Sequence, residues 1–165
     1  MSDLNAAIDW SSVECLNATG AANVLKQGYR DDGGLLLKSE VDEQILLHLP
    51  FVSPVRISRI CFKSTVNPGA APKSIKFFIN RPTIGFGEAA ESPAVHSLTL
   101  TEETLQGDPI PLPVVKFRSV RCLTVFVESN MDDADTTIIQ SIAIIGDNIQ
   151  ELNVSAIQDV SKQEN

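Results

Sequence analysis

This sequence predicts an all-β fold, an antiparallel sandwich or barrel, and three observations carry the prediction. Lys116 to Gly146 contains two long apolar, β-branched runs separated by a short acidic loop, Asn130 to Asp135. In the first run Leu123, Val125 and Val127 share one parity while Val120, Cys122 and Phe126 share the other. A strand apolar on both faces must be covered on both faces. From about residue 34 onward, apolar runs alternate with turn chemistry and helical periodicity is nearly absent, as in antiparallel sandwiches and barrels. Several connections, Arg81 to Pro93 above all, are too long for tight hairpins, which favours Greek-key or jelly-roll wiring.

The N-terminal segment, residues 1–33, differs from the rest. Ser11-Ser12-Val13-Glu14 fits a capping box with Trp10 as its staple. This predicts one short helix, or an irregular segment, wrapping an end of the β-structure. The core then spans about 34–146. Leu35 to Leu37 is a short apolar run and Ser39 to Glu43 a polar turn. Ile45 to Phe51 reads as one strand and Val55 to Lys63, beyond Pro54, as the next. There Val55 and Ile57 share one parity but Ile60 and Phe62 the other, which predicts a β-bulge near Ser58-Arg59.

Val66 to Gly69 is turn chemistry, and Ser74 to Asn80 alternates with Ile75, Phe77 and Ile79 inward. Arg81 to Pro93, rich in Pro and Gly, reads as a loop with no element of its own. Val95 to Leu100 alternates as a strand. Thr101 to Gly107 reads as a single helical turn, capped by Thr101 and stopped by Gly107. Ile110 to Phe117 is a strand that Pro111 and Pro113 confine to an edge or an irregular entry. The Lys116–Gly146 hairpin closes the set, and residues 150–165 form a polar tail. One domain is expected over 1–165, a length that buries roughly 70% of the unfolded surface without metal or disulfide.

Composition excludes several classes of function. A net charge of −8 opposes a phosphate backbone, and with one Trp and one Tyr there is no stacking platform. Nucleic acid is not an expected partner. Met1 to Asn5 is polar and leads into no apolar segment, and no run approaches the ~18 residues that span a bilayer. A membrane is therefore not expected, and Asn17-Ala18-Thr19 and Asn153-Val154-Ser155 are chance glycosylation matches. Cys15, Cys61 and Cys122 form no C-x-x-C pair and read as reduced packing residues. A reducing compartment follows, so cytoplasmic and also nuclear localisation is expected.

No residue constellation carries catalysis. His48 and His96 have no Cys, Asp or His at ligand spacing. There is no G-x-S-x-G elbow and no Gly-rich loop opening a helix. Glu102-Glu103 and Asp132-Asp133 lie in predicted turns rather than across a cleft. Asp132, Asp133 and Asp135 offer oxygens suited to Ca²⁺ but lack the EF-hand glycine and glutamate. No catalytic, cofactor or metal residues are expected, and the chain reads as a non-enzyme. Basic residues gather in the middle strands: Arg56, Arg59, Lys63, Lys73, Lys76, Arg81, Lys116, Arg118 and Arg121. Such residues keep a sheet face wet or an edge unpaired, or they dock an acidic partner.

Glu14-Cys15-Leu16-Asn17, Asp42 to Leu46, Pro72 to Asn80, Val115-Lys116-Phe117, Leu123 to Asn130, Thr136-Thr137 and Ile145-Gly146 occur in fixed order. Together they resemble the PITH domain family over roughly Ser11 to Gly146. The resemblance implies a jelly-roll β-sandwich, similar to galactose-binding-like domains and to the Doc subunit of the anaphase-promoting complex. It also implies a non-catalytic interaction module that associates with the regulatory particle of the 26S proteasome. The thioredoxin domain and C-x-x-C pair of longer members are absent from these residues, so disulfide reductase activity is not implied. Where relatives have Phe-Gln-Asn-Val, this chain has Phe117-Arg118-Ser119-Val120, which would alter a contact made there.

Arg81, Phe86, Met131, Asp132 and Asp133 are expected exposed on loops that contact a partner, with Arg118 in the altered segment. Phe86, between two glycines, stands out as an aromatic anchor, unless it folds back onto the sandwich. A monomer is expected from the net charge. The alternative, by fold analogy, is a sandwich that binds a carbohydrate or another small molecule. That reading requires a concave pocket with polar groups and an exposed aromatic.

Overall fold

The computed structural model describes residues 2–27 and 36–149, which form an antiparallel β-sandwich. Its strands are β1 (Ser2–Asp3), β2 (Glu14–Leu16), β3 (Ala18–Thr19), β4 (Leu37–Ser39), β5 (Ile45–Lys63), β6 (Pro72–Ile79), β7 (His96–Thr99), β8 (Ile110–Pro111), β9 (Val120–Asn130), β10 (Ile138–Ile139) and β11 (Ser141–Asn148). Two short α-helices, α1 (Ala21–Gln27) and α2 (Phe86–Glu91), and four 3-10 turns complete the described elements. Tyr29, Leu35 and the predicted tail at 150–165 lie outside the described residues.

One strand organises both layers. The first half of β5, Ile45 to Pro50, pairs with β9 on one edge and with β2 on the other. Its second half, Val55 to Lys63, pairs with β11 and, briefly, with β8. One layer is therefore β2-β5-β9-β6-β7 and the other β1-β11-β5-β8. A small sheet, β10-β4-β3, flanks them. Leu47, Leu49, Ile57, Ile60 and Phe62 of β5 meet Phe77, Phe117, Leu123, Val125, Ile142 and Ile144 in the shared core. Each such side chain contributes about 1.5–3 kcal/mol by leaving water.

Two strands were expected across Pro50 to Pro54, yet the extended backbone is continuous. The Pro50 carbonyl accepts the Asp9 N–H at 2.8 Å and Phe51 bridges Ile8, so the N-terminal segment supports the bend while β9 register is interrupted. The bulge inferred from parity is present. Arg59 opposes Ile145 and Ile57 opposes Gly146, leaving Ser58 as the extra residue. Ile57 and Ile60 thereby both face the core. Opposite the bulge, a Cβ on Gly146 would lie 1.8 Å from the Arg56 carbonyl oxygen, so only glycine admits this approach.

Four local expectations are corrected. β9 and β11 are not a hairpin: each pairs with β5, in different layers, because both apolar runs need a long partner and β5 supplies one to each. Residues 131–140 cross between the layers, and β10 pairs with β4 on the way. Ile110 to Phe117 is not a strand beyond Pro111. Past Leu112, whose N–H donates to Ser58, the chain turns through Pro113 to Phe117. Arg81 to Pro93 holds α2. The capping box does not form, because Glu14 belongs to β2 and the Ser11 hydroxyl donates to Asp9 at 2.7 Å. The N-terminal segment is the irregular wrapping alternative, with 3-10 turns at Leu4–Ala7 and Trp10–Ser12.

Two asparagines pin this wrapping. Asn17, in a left-handed conformation at φ 64°, donates to the Asp42 carboxylate and the Gln44 carbonyl, both at 2.7 Å. It also accepts the Val41 N–H at 2.9 Å. Asn5 is 4% exposed; its amide donates to the Leu25 carbonyl at 2.6 Å and to that of Ile142 at 2.9 Å, and its oxygen accepts the Ile144 N–H at 2.9 Å. Asn5→Ala strands those backbone groups in the interior. It is expected to lower the unfolding free energy by about 2–3 kcal/mol in a urea melt.

Candidate functional site

The strands carry recognition-capable loops to two opposite ends. At one end the acidic loop follows β9. The buried Asn130 closes it, its amide donating to the Ala134 carbonyl at 2.8 Å and its oxygen accepting the Ala134 N–H at 2.9 Å. Asp133 turns the chain at φ 51°. The Met131 and Asp132 N–H groups donate to Ala71 and Gly69 at 2.9 and 3.0 Å, tying this loop to the β5–β6 connection. A cleft of about 240 Å³ opens beside it, lined by Ser64, Thr65, Pro68, Glu102, Leu105, Gln106 and Met131. Asp132 and Asp133 are exposed, whereas Met131 packs partly against the core.

At the other end Asn80, left-handed at φ 57°, forms the corner after β6. Its amide donates to the Ser119 carbonyl at 3.1 Å and its oxygen accepts the Arg121 N–H at 2.7 Å. A cleft of about 490 Å³ lies here, lined by Asn80, Pro82, Ser119, Arg121 and Cys122. Val114 and Val115 are 45% and 75% exposed, while Phe117 just beyond them is fully buried. Lys116, Arg118 and Arg121 are exposed, and none lies within ion-pairing distance of a described carboxylate. Two other cations of the middle strands are neutralised: Arg56 pairs with Asp147 at 2.8 Å and Lys76 with Glu128 at 3.4 Å.

The structure does not unite the six residues expected at a partner contact. Arg81 and Arg118 flank the Asn80–Ser119 corner, and Met131, Asp132 and Asp133 lie at the acidic end. β9 separates the two groups by roughly 30 Å, at ~3.3 Å per strand residue. Phe86 is no mobile-loop anchor. It starts α2 and packs edge-on against Phe126 at 6.1 Å, in a second cluster with Leu46, Phe78, Ile84 and Ala89 on the outer face of the β9 layer. Arg81 serves this cluster, pairing with Glu88 of α2 at 2.9 Å and lying 5.6 Å from the Phe78 ring centre. Val114 and Val115 were missed because their run read as a strand; two valines beside Pro113 and a lysine were the available signal.

Each histidine is held by a neighbour in the sheet. The His48 ring meets the Thr124 hydroxyl at 3.1 Å, and burial lowers its pKa against an opposing pull from Glu14. His96 stacks on Phe77 and meets Phe117 edge-on, both at 6.3 Å; burial and then Lys116 lower its pKa. A third cleft, about 180 Å³, lies beside His48 and is lined also by Glu14, Leu16, Leu46, Pro82, Thr83, Ile84 and Gly85. Among the described residues no cluster of His, Cys, Asp or Glu could hold a metal ion. Among the same residues no helix is long and apolar enough to cross a membrane.

The family model described as the PITH domain matches residues 1–163. The chain belongs to the PITH domain family. It is 31% identical to Thioredoxin-like protein 1 of Schizosaccharomyces pombe over 161 residues, covering 95% of this chain and 55% of that protein. It is 30% identical to PITH domain-containing protein CG6153 of Drosophila melanogaster over 148 residues, 87% of this chain and 69% of the relative. The chain thus spans about half the length of the first of these and about two thirds of the second.

Among solved structures, a Streptococcus pneumoniae fucose binding module superposes with a TM-score of 0.57 at 8% identity, covering 88% of this chain and 98% of that one. A CBM32 module from a family 31 glycoside hydrolase of Clostridium perfringens gives 0.57 at 11%, covering 86% and 96%. These neighbours show that the PITH chain has the galactose-binding-like jelly-roll fold, as the sequence resemblance implied. PITH and galactose-binding-like domains are non-catalytic kinds of domain. No Trp, Tyr or Phe lines any of the three clefts described above.

The three thiols of this PITH domain are not joined in disulfides and are placed for packing. Cys61 and Cys122 are buried, and Cys15 is half-buried. Burial, with Glu40 adding repulsion, pushes the Cys15 thiol up to about 11; burial also raises Cys122. The thiolate is the reactive form, so these groups are poor nucleophiles. In the folded protein at pH 8 a disulfide reagent such as DTNB is expected to react roughly a hundredfold more slowly than in urea. Rapid labelling of one thiol in the folded state would contradict this assignment.

Proposed function

We propose that this PITH domain is a monomeric, non-catalytic protein-interaction module that associates with the regulatory particle of the 26S proteasome, in the cytoplasm and nucleus. The family match over residues 1–163 carries the reading. Three features support it. A two-layer body presents loops at both ends, the arrangement by which scaffolds commonly carry recognition. His96 packs against Phe77 and Phe117, and His48, which shares the small third cleft with Glu14, meets the Thr124 hydroxyl. Thiols outside any disulfide, two of them buried, suit a reducing compartment.

A sugar-binding role has less support. The solved neighbours include a fucose binding module and a CBM32 module, but at 8–11% identity they share the fold alone. The clefts here also lack an aromatic face on which a sugar ring would stack.

Purified 26S proteasome and the full chain provide the test. Co-sedimentation at low salt is expected to show saturable binding tighter than about 10 μM, the range of transient complexes. Absence of co-sedimentation at that concentration would overturn the proteasome assignment. Saturable binding of fucose or galactose in calorimetry would revive the sugar reading.

A further inference from the structure

We propose that the corner formed by residues 113–121 and Val52 is the docking surface of this module, and that its partner is an acidic protein segment carrying apolar side chains. The inference rests on the interaction-module reading and adds the surface and the chemistry of what binds it. The corner is built rigidly from the core outward. Lys116 N–H donates to Pro113 at 3.0 Å and Phe117 N–H to Val114 at 3.1 Å, giving two overlapping turns. The Ile57 N–H then fixes the Phe117 carbonyl at 3.0 Å, with the Phe117 ring buried in the core. Val114 and Val115 are thus held outward by a pinned turn, which lowers the ordering cost of binding.

Val52 belongs to the same corner through strand register. Pro50 opposes Cys122 and Val55 opposes Val120, so the 51–54 bend lies across from Arg121. Val52 is 76% exposed there. Val41 and Val66 are exposed too, but each stands alone between polar neighbours, which is ordinary for a surface. Among the described residues, this corner combines exposed valines with three cations that have no described carboxylate in range.

Charge identifies the partner. The chain carries −8, yet Lys116, Arg118 and Arg121 face solvent with no described carboxylate in ion-pairing range. Acids near this end are engaged: Glu88 by Arg81, Asp147 by Arg56, and Asp9 by the Ser11 hydroxyl. A basic rim around an apolar centre is complementary to an acidic segment with hydrophobic anchors. Nucleic acid fits less well. The overall charge repels it, and the corner's one aromatic, Phe117, is buried.

The test uses the full chain and a short fluorescein-labelled peptide alternating Glu and Leu, read by anisotropy. Saturable binding is expected, weakened by added salt and by roughly tenfold or more in the K116E/R118E/R121E triple variant. V114S/V115S is expected to weaken it too, while D132K/D133K at the far end leaves it intact. These exposed substitutions should leave the thermal melt unchanged, which separates docking from folding. No saturable peptide binding, equal binding by the triple variant, or tighter binding of a DNA duplex than of the peptide would overturn the proposal. Concentration-dependent dimerisation abolished by the triple variant would overturn it in favour of a second copy of this chain. If the proteasome binds wild type and triple variant alike, the corner is not the docking surface. If it binds neither, the proteasome assignment fails and the peptide result still decides the corner.

Discussion

Everything in this molecule depends on β5 belonging to two sheets at once. A sandwich normally holds its layers together by side-chain packing alone. Here the peptide backbone also passes from one layer to the other, through the Pro50–Pro54 bend, so the layers share main-chain hydrogen bonds as well as a core. The bend works because each proline sits where the ladder asks nothing of its missing N–H, while the Pro50 carbonyl is satisfied by Asp9. The Ser58 bulge then re-aims the strand by one residue. Without it, Ile60 and Phe62 would turn away from the core that Val55 and Ile57 enter.

The sequence disclosed what local parity can encode. The two-faced burial of β9, the bulge at Ser58, the turn closed by Gly107 and the outward acidic loop were all legible, because each is written in residues a few positions apart. The hairpin was not. Whether β9 pairs with β11 or with β5 depends on which partner is long enough to serve both layers, and nothing between residues 116 and 146 records that. Likewise α2 hid behind Pro82, Gly85, Gly87 and Pro93. A six-residue helix needs little propensity when Phe86 and Ala89 gain burial against Phe78 and Phe126.

The site was less legible than the fold for a related reason. Exposure is a property of the assembled surface, and sequence chemistry alone left Phe86 open between a solvent-facing anchor and a fold-back onto the sandwich, and placed Val114–Val115 in a strand. The structure exchanges these roles: the aromatic fills a second core, and the valines face water beside unpaired cations. Asn80 explains how the corner is kept. One side chain in a left-handed turn holds both the Ser119 carbonyl and the Arg121 N–H, so the chain entering β9 cannot drift from the end of β6.

Asn5 has a consequence for biosynthesis. Its amide bridges to Ile142 and Ile144, partners 137 and 139 positions further along the chain. The turn at Leu4–Ala7 therefore cannot settle until β11 has left the ribosome. Through most of synthesis β2 and the N-terminal wrap have at best an incomplete sheet to join, since β5 itself waits for β9 and then β11. Such non-local closure is slow and leaves apolar strands exposed in the interim. The apolar faces of β5 and β9 therefore stay incompletely covered until β11 has been synthesised.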